Sequence, residues 1–314
     1  MTTTSPTEQR VRPVRRLGDR IFAGSARTAG IVILVILAGV AAFLVLESLP
    51  AVTAASEDLP GDGGLTGYIA PLIFGTLISA VIALVVATPL AVAIALFITY
   101  YAPRRIAQAL GYVVDLLAAI PSIVYGFWGI AWLAPNLVPF YRWLEDNLGF
   151  IPLFAGPTSS TGRTMLTAGL VLAIMILPII SALAREVFGQ TPALQREAAL
   201  ALGATRWEMI RMTVLPYGRS GVIGGAMLGL GRALGETMAI ALVLSVSGGI
   251  TFNVISSGNP STIAANIALT FPESSGLAVN TLIASGLALF LITLAVNTLA
   301  RWVVNRRADF SGAN

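Results

Sequence analysis

Six stretches of the chain are apolar almost without interruption: Ala29–Leu46, Leu72–Ile98, Leu110–Leu133, Met165–Ala184, Val222–Val246 and Leu277–Val296. A helix rising about 1.5 Å per residue needs about 20 such residues to cross a hydrocarbon core about 30 Å thick. The pattern therefore predicts an all-α integral membrane protein, a bundle of six spanning helices. The second stretch is long enough to tilt or to extend past the core. Pro89, Pro121 and Pro178 lie inside stretches, which membrane helices tolerate when neighbouring groups satisfy the freed carbonyls. The polar intervals differ in kind. Residues 47–67 carry Glu47, Glu57, Asp58 and Asp62 among glycines and read as a solvated connection. Residues 134–164 contain Pro135, Pro139, Pro152 and Pro157, and no spanning helix is expected there. Residues 247–276 hold a helix-like stretch, Ser261–Leu269, ending near Pro272. No internal repeat stands out.

Composition sharpens this picture. The chain has 314 residues, of which 11% are charged, and a mean hydropathy of +0.84, whereas soluble domains carry about 25% charged residues. It has no Cys and no His, which removes disulfides, thiolate and imidazole metal sites, and imidazole-based triads. All 19 basic residues are Arg. Without Lys the chain cannot build a phosphate-binding Walker loop or a Schiff base. The arginines cluster in the N-terminal segment (Arg10 to Arg27), after the second and fourth stretches, and at the C-terminal end. Only Arg142 and Arg163 fall on the other side, and Arg232 lies within the fifth stretch. Positive charge stays on the cytoplasmic side, so both termini are expected there, with tails at 1–28 and 304–314 flanking a transmembrane domain at 29–303. That asymmetry accounts for the basic pI of about 9.8 without nucleic-acid binding. Tyr68, Tyr100 and Tyr101 bracket the second stretch as interfacial anchors. The first stretch, after a basic run and before Ala51–Ala55, has the outline of a cleaved signal. Its length exceeds the usual signal core of about 7–15 residues, which favours a retained helix.

The connection at 185–219 is amphipathic. Pro192 and the Ala/Leu-rich residues after it predict a short helix, Gly203 its stop, and a second short helix running toward Pro216. Glu197, Ala198, Ala199, Gly203, Leu215 and Pro216 stand at the spacing of the EAA signature of importer permeases. Thr213 occupies a position usually filled by Ile. The resemblance implies that this segment is a coupling helix docking into a groove on a separate ATP-hydrolysing subunit. A generic cytoplasmic hairpin is the plain alternative.

Arg232 lies about 15 Å into the fifth stretch, where an Arg costs at least about 2.5–3.5 kcal/mol on insertion scales. Glu236, four residues on, would share its helix face. Arg before Glu is the weaker order for helix stabilisation, so stability alone is a poor reason for the pair. Gly221, Gly225 and Gly229 allow a second helix to approach closely. The pair reads as a charge lining an oxyanion path, with Glu236 orienting it, or as a buried ion pair fixing register. Asp115, near the cytoplasmic end of its stretch, is expected to snorkel or pair at the interface.

Arg232–Ala239 (RALGETMA) and Ala119–Gly129 (AIPSIVYGFWG) resemble segments of the PstC family of phosphate permeases, and the resemblance runs from about Tyr68 to about Arg301. It implies the type I ABC importer permease fold of the MetI-like kind. It implies a role for Arg232 and Glu236 in phosphate passage. It also implies a PstA-like sister permease, two copies of a PstB-like ATPase and a PstS-like extracytoplasmic binding protein, in the bacterial cytoplasmic membrane. The chain itself would bind no cofactor; ATP and Mg belong to the ATPase. A permease for another oxyanion or small solute, or an ion-driven carrier, remains an alternative on the residues alone.

Overall fold

The computed structural model describes residues 17–61, 63–246 and 249–308. The basic residues Arg10, Arg12, Arg15 and Arg16, the acid Asp62 and the last tail residues, 309–314, lie outside the described residues. The chain divides into two compact units, Met1–Glu47 and Ser48–Asn314. Among the described residues five helices are long and apolar enough to cross a membrane: Ile21–Thr53, Gly64–Tyr101, Ser122–Leu148, Met165–Gly189 and Leu277–Trp302. The first belongs to helix α1 (Leu17–Thr53), which starts a dozen residues ahead of the expected span and takes in part of the expected tail. Every side chain from Ile31 to Leu37 is exposed, and all are apolar. A helix apolar all round and uncovered in water suits lipid as its solvent.

In the second unit, α2 (Gly64–Tyr101) and α5 (Met165–Gly189) form the broadest helix pair. Ala83, Ala87, Ala91 and Ala95 recur every four residues on α2 and are fully buried. Small side chains at that spacing let two helix backbones approach closely, which supplies packing where lipid offers no hydrophobic drive. Tyr100, expected as an interfacial anchor, donates its hydroxyl to the Phe188 carbonyl at 2.6 Å. Tyr68 accepts from Asn266 Nδ2 at 2.7 Å. Both tyrosines join helices.

The third expected span differs most. Helix α3 (Arg104–Ala119) ends at an extended Ile120, the conformation forced on a residue before proline. After Pro121 a new helix, α4 (Ser122–Leu148), runs on into the first half of the 134–164 stretch expected to be loop, while 149–164 stays irregular. Its middle, Gly129–Leu133, is π-helical, with the Ala134 amide reaching back to Gly129. A proline lacks an amide and its ring collides with the carbonyl four residues earlier. Widening the turn just before Pro135 relieves that collision, and Asn136 Nδ2 donates to the Trp132 carbonyl at 2.6 Å. The same device occurs twice more: π-turns at Phe97–Tyr101 and Ile210–Val214 end two residues before Pro103 and Pro216. Asp115 on α3 pairs with Arg185 at 3.1 Å, the interface pairing expected for it.

The segment after the fifth span is irregular yet buried. Val254 and Ile255 are enclosed, and their backbone groups bond to 153–166: Val254 N–H to Leu153 O, Ser159 N–H to Ile255 O, and Leu166 N–H to Val254 O. Asn253 Nδ2 donates to Gly156 O at 2.8 Å. Non-helical backbone inside a membrane protein requires such internal partners. A helix follows at Ile263–Thr270 (α9), capped by Thr262, near the helix-like stretch expected there. The last helix, α10, is Leu277–Ala308.

Residues 206–234 form one continuous helix, α7, built from Arg206–Met209, Ile210–Val214 and Leu215–Leu234. A Cβ at Gly218 would overlap the Phe188 ring, and one at Gly221 would overlap Val187. At Gly225 and Gly229 it would meet Ile180 at 3.4 and 3.1 Å. Gly224, by contrast, faces open space. Because Phe188 is fully buried and cannot yield, Gly218→Ala should destabilise the protein by about 1–3 kcal/mol, the range for overpacking. Gly224→Ala should be neutral or mildly stabilising. Thermal unfolding of both variants in detergent measures this; equal midpoints would refute the close α5–α7 contact.

Candidate functional site

The expected coupling segment is a short helix, α6 (Ala193–Ala201), entered through Pro192. It stops in a Schellman turn. The Ala204 amide bonds to Ala199 O and the Gly203 amide to Leu200 O, while Gly203 takes φ +85°. The next helix begins at once. Thr205 caps it, its Oγ1 accepting from the Glu208 amide at 3.3 Å, while Glu208 Oε2 accepts from the Thr205 amide at 2.8 Å. The Thr205 amide, and the Thr205 hydroxyl, which donates to the same Glu208 Oε2 at 2.8 Å, pull the Glu208 carboxyl below its ordinary pKa, the backbone amide contributing most.

The second short helix expected from the sequence is thus not separate: it is the first turn of α7. Its underside is locked. Ala199, Met209, Ile210 and Val214 pack with Ala95, Leu96, Ala184 and Phe188 in one buried cluster. Its outer face is free. Leu194 and Leu202 are 81% and 90% exposed, and Glu197, Ala198 and Trp207 are exposed as well. A rigid knob with apolar side chains in water is a surface built for a partner. Of the signature residues, Ala199 faces the core, Glu197, Ala198 and Gly203 face out, and Leu215 and Pro216 begin the regular α-helical part of α7.

At its other end α7 breaks. The fifth span was expected to continue to Val246; instead Gly235, Glu236 and Thr237 leave the helix, and a short helix, α8 (Met238–Val243), follows. Arg232 and Glu236 therefore do not share a helix face, and they form neither an ion pair nor a hydrogen bond with each other. Each charge instead sits at a helix end. Arg232 lies in the last turn of α7, where unpaired carbonyls favour a cation. Glu236 is 8% exposed and its Oε1 accepts from the Ala239 amide at 3.0 Å, at the N-terminus of α8. The order that is unfavourable on one helix is the favourable order across a break. The far end of α8 is held by Arg163, whose Nη2 donates to the Leu242 and Leu244 carbonyls at 3.2 Å each.

Arg232 is half-buried and lines a cavity of about 590 Å³ between α7 and α10, with Gly224, Met227, Leu228 and Gly231 on one wall. Ile179, Asn297 and Arg301 contribute from other helices. Its charge also lies within electrostatic reach of Tyr125, whose hydroxyl donates to Leu117 O at 2.7 Å across the Pro121 break. Sequence reasoning missed Arg163, Asn297 and Arg301. Its place as one of only two arginines on the acidic side was a usable signal for Arg163; Asn297 and Arg301 read as the ordinary end of a span. Among the described residues no group of three His, Cys, Asp or Glu could hold a metal.

Residues 87–309 match the family model described as binding-protein-dependent transport system inner membrane component. The phosphate transport system permease protein PstC 2 of Mycobacterium tuberculosis is 45% identical over 311 residues, 95% of each chain. The phosphate transport system permease protein PstC of Mycobacterium leprae is 44% identical over 308 residues, covering 94% of this chain and 96% of that one. Among solved structures, a bacterial ABC transporter involved in import of the acidic polysaccharide alginate matches with a TM-score of 0.57. That match covers 92% of this chain and 96% of that chain at 16% identity, a similarity of fold alone.

The lowered Glu208 carboxyl has a consequence for pH. A depressed folded pKa contributes stability that is complete above the ordinary carboxylate range and fades as pH falls through the lowered value. The Thr205–Glu208 box should therefore be intact at neutral pH and open only in acid. Hydrogen exchange at the Thr205 and Glu208 amides, corrected for intrinsic rates, reads this directly. Protection that ignores acid would show that the carboxylate does not close the turn.

Proposed function

We propose a transport route for this chain, which belongs to the family of binding-protein-dependent transport system inner membrane components. It is a permease subunit of a phosphate ABC importer, a multi-pass membrane protein that works with ATPase and binding-protein partners. In this reading the ATPase is a PstB-like dimer, which holds the ATP and Mg. The sister permease is PstA-like and the extracytoplasmic donor is PstS-like. Both termini and the α6 knob face the cytoplasm, in keeping with the arginine distribution.

One observation carries the mechanism: α6 is joined by a four-residue turn, 202–205, to a helix that runs unbroken past Arg232. Closure of the ATPase dimer displaces α6 through Glu197, Ala198 and the exposed leucines. Gly203 and the Thr205 cap keep the corner stiff, so the displacement tilts α7 as a rod against the glycine-lined face of α5. At the far end the rod moves Arg232 relative to α8, and the break at Gly235 takes up the change. Phosphate, an oxyanion matched by the planar guanidinium fork, passes along Arg232. Glu236 serves the path by fixing the start of α8 and leaves the Arg232 charge uncancelled.

A charged hydrogen bond contributes about 1.5–3 kcal/mol, so Arg232→Gln should lower phosphate uptake roughly 10- to 100-fold or more. Co-purification of the ATPase should be unchanged. Labelled phosphate, sulfate and molybdate uptake by reconstituted complex makes the measurement; full phosphate transport by the variant would remove Arg232 from the route. Gly203→Ala places a Cβ in the left-handed region at about 1–2 kcal/mol. It should raise ATP hydrolysed per phosphate moved, as should Glu197→Ala. A normal ratio in both would mean that the stroke is transmitted elsewhere.

A further inference from the structure

Arg301 stands near the C-terminal end of α10, and Asn297 stands one turn before it, on the same face. Both line the cavity that Arg232 enters from α7. Helices α7 and α10 run in opposite directions in the proposed topology. Arg301, which is exposed, therefore lies nearer the cytoplasmic surface than Arg232, which is half-buried. Of the residues lining the cavity none is acidic, and two are arginines. Neither guanidinium makes an ion pair or a hydrogen bond among the described residues. Two uncompensated cations and a carboxamide around about 590 Å³ form a space whose field attracts anions. An arginine that only snorkelled to the interface would not need Asn297 or a second arginine in the same cavity.

We propose that Arg301 and Asn297, in the cavity that Arg232 also lines, form a second station for a phosphate-type oxyanion, on the cytoplasmic side of the route. Its place in the route, as distinct from its anion binding, rests on the assignment of Arg232. Arg301 offers two parallel N–H groups to two oxygens, and Asn297 Nδ2 offers a donor to a third. A dianion released from the deep site then meets compensating charge before it meets bulk water. The same chemistry would hold the phosphate of an anionic lipid headgroup.

The test uses the complete complex, nucleotide-free and without binding protein, in discs of phosphatidylcholine with or without phosphatidylglycerol. Equilibrium binding of labelled inorganic phosphate is the readout. Arg301→Gln should weaken binding roughly 10-fold, Asn297→Ala less, and Arg301→Lys should recover part of the loss. Wild-type affinity that is equal in both lipids assigns the station to free phosphate. Competition by phosphatidylglycerol that disappears in Arg301→Gln assigns it to a headgroup. Wild-type phosphate binding and lipid response in Arg301→Gln would overturn the proposal, as would no saturable binding by the wild type at millimolar phosphate. Arg232→Gln in parallel separates the two assignments. If it binds normally while Arg301→Gln does not, the role given to Arg232 fails and this station stands. The reverse pattern leaves Arg232 in the route and removes Arg301.

Discussion

Helix α7 has to remain one rod across a proline. Pro216 deletes a backbone amide and crowds the carbonyl of Met212, and in hydrocarbon or against buried neighbours no water repairs the loss. The π-turn at Ile210–Val214 solves this by widening the helix by one residue just before the ring, so the chain keeps its course from Thr205 to Leu234. The proposed stroke depends on that continuity. A helix that stopped at Pro216 would leave the knob hinged to the membrane, and displacement of α6 would be absorbed in the loop. As built, the corner is braced by the Schellman bonds and the Thr205–Glu208 box, and the rod lies against α5 through glycines that admit its backbone closely.

The second constraint is the handling of charge at depth. Arg232 and Glu236 neutralise no partner of their own sequence neighbourhood; helix ends do the work for each. The carbonyls closing α7 favour the arginine, and the Ala239 amide opening α8 binds the carboxylate. This division leaves uncancelled the positive field that an anion would use. Arg163 completes the frame by gripping the carbonyls at the other end of α8, so the short helix is pinned by an acid at its start and a base at its finish. The break between α7 and α8 becomes the natural place for relative motion because both sides of it are anchored.

Around this, irregular backbone is admitted only where it is fully partnered. The 253–255 segment threads the interior by trading backbone bonds with 153–166, and Thr76 Oγ1 accepts from the Ile263 amide at 3.0 Å. These contacts hold one end of the bundle and explain why polar residues such as Asn253, Asn259 and Thr262 are buried there.

Much of this was readable from one dimension, because lipid is a demanding solvent. Runs of apolar residues long enough to cross it, the skew of arginine, and Gly203 between two helix-forming segments are local signals, and each names its element. Tertiary structure alone decided where helices break. Hydropathy windows add up side chains and cannot see which carbonyl lacks a donor, so Pro121 ended a helix while Pro135, Pro139 and Pro216 did not. Nor does periodicity reveal partners distant in the chain. Asn297 and Arg301 acquire meaning only because folding brings them to the cavity of Arg232, and Glu236 changed its partner because the helix that would have joined it to Arg232 ends first.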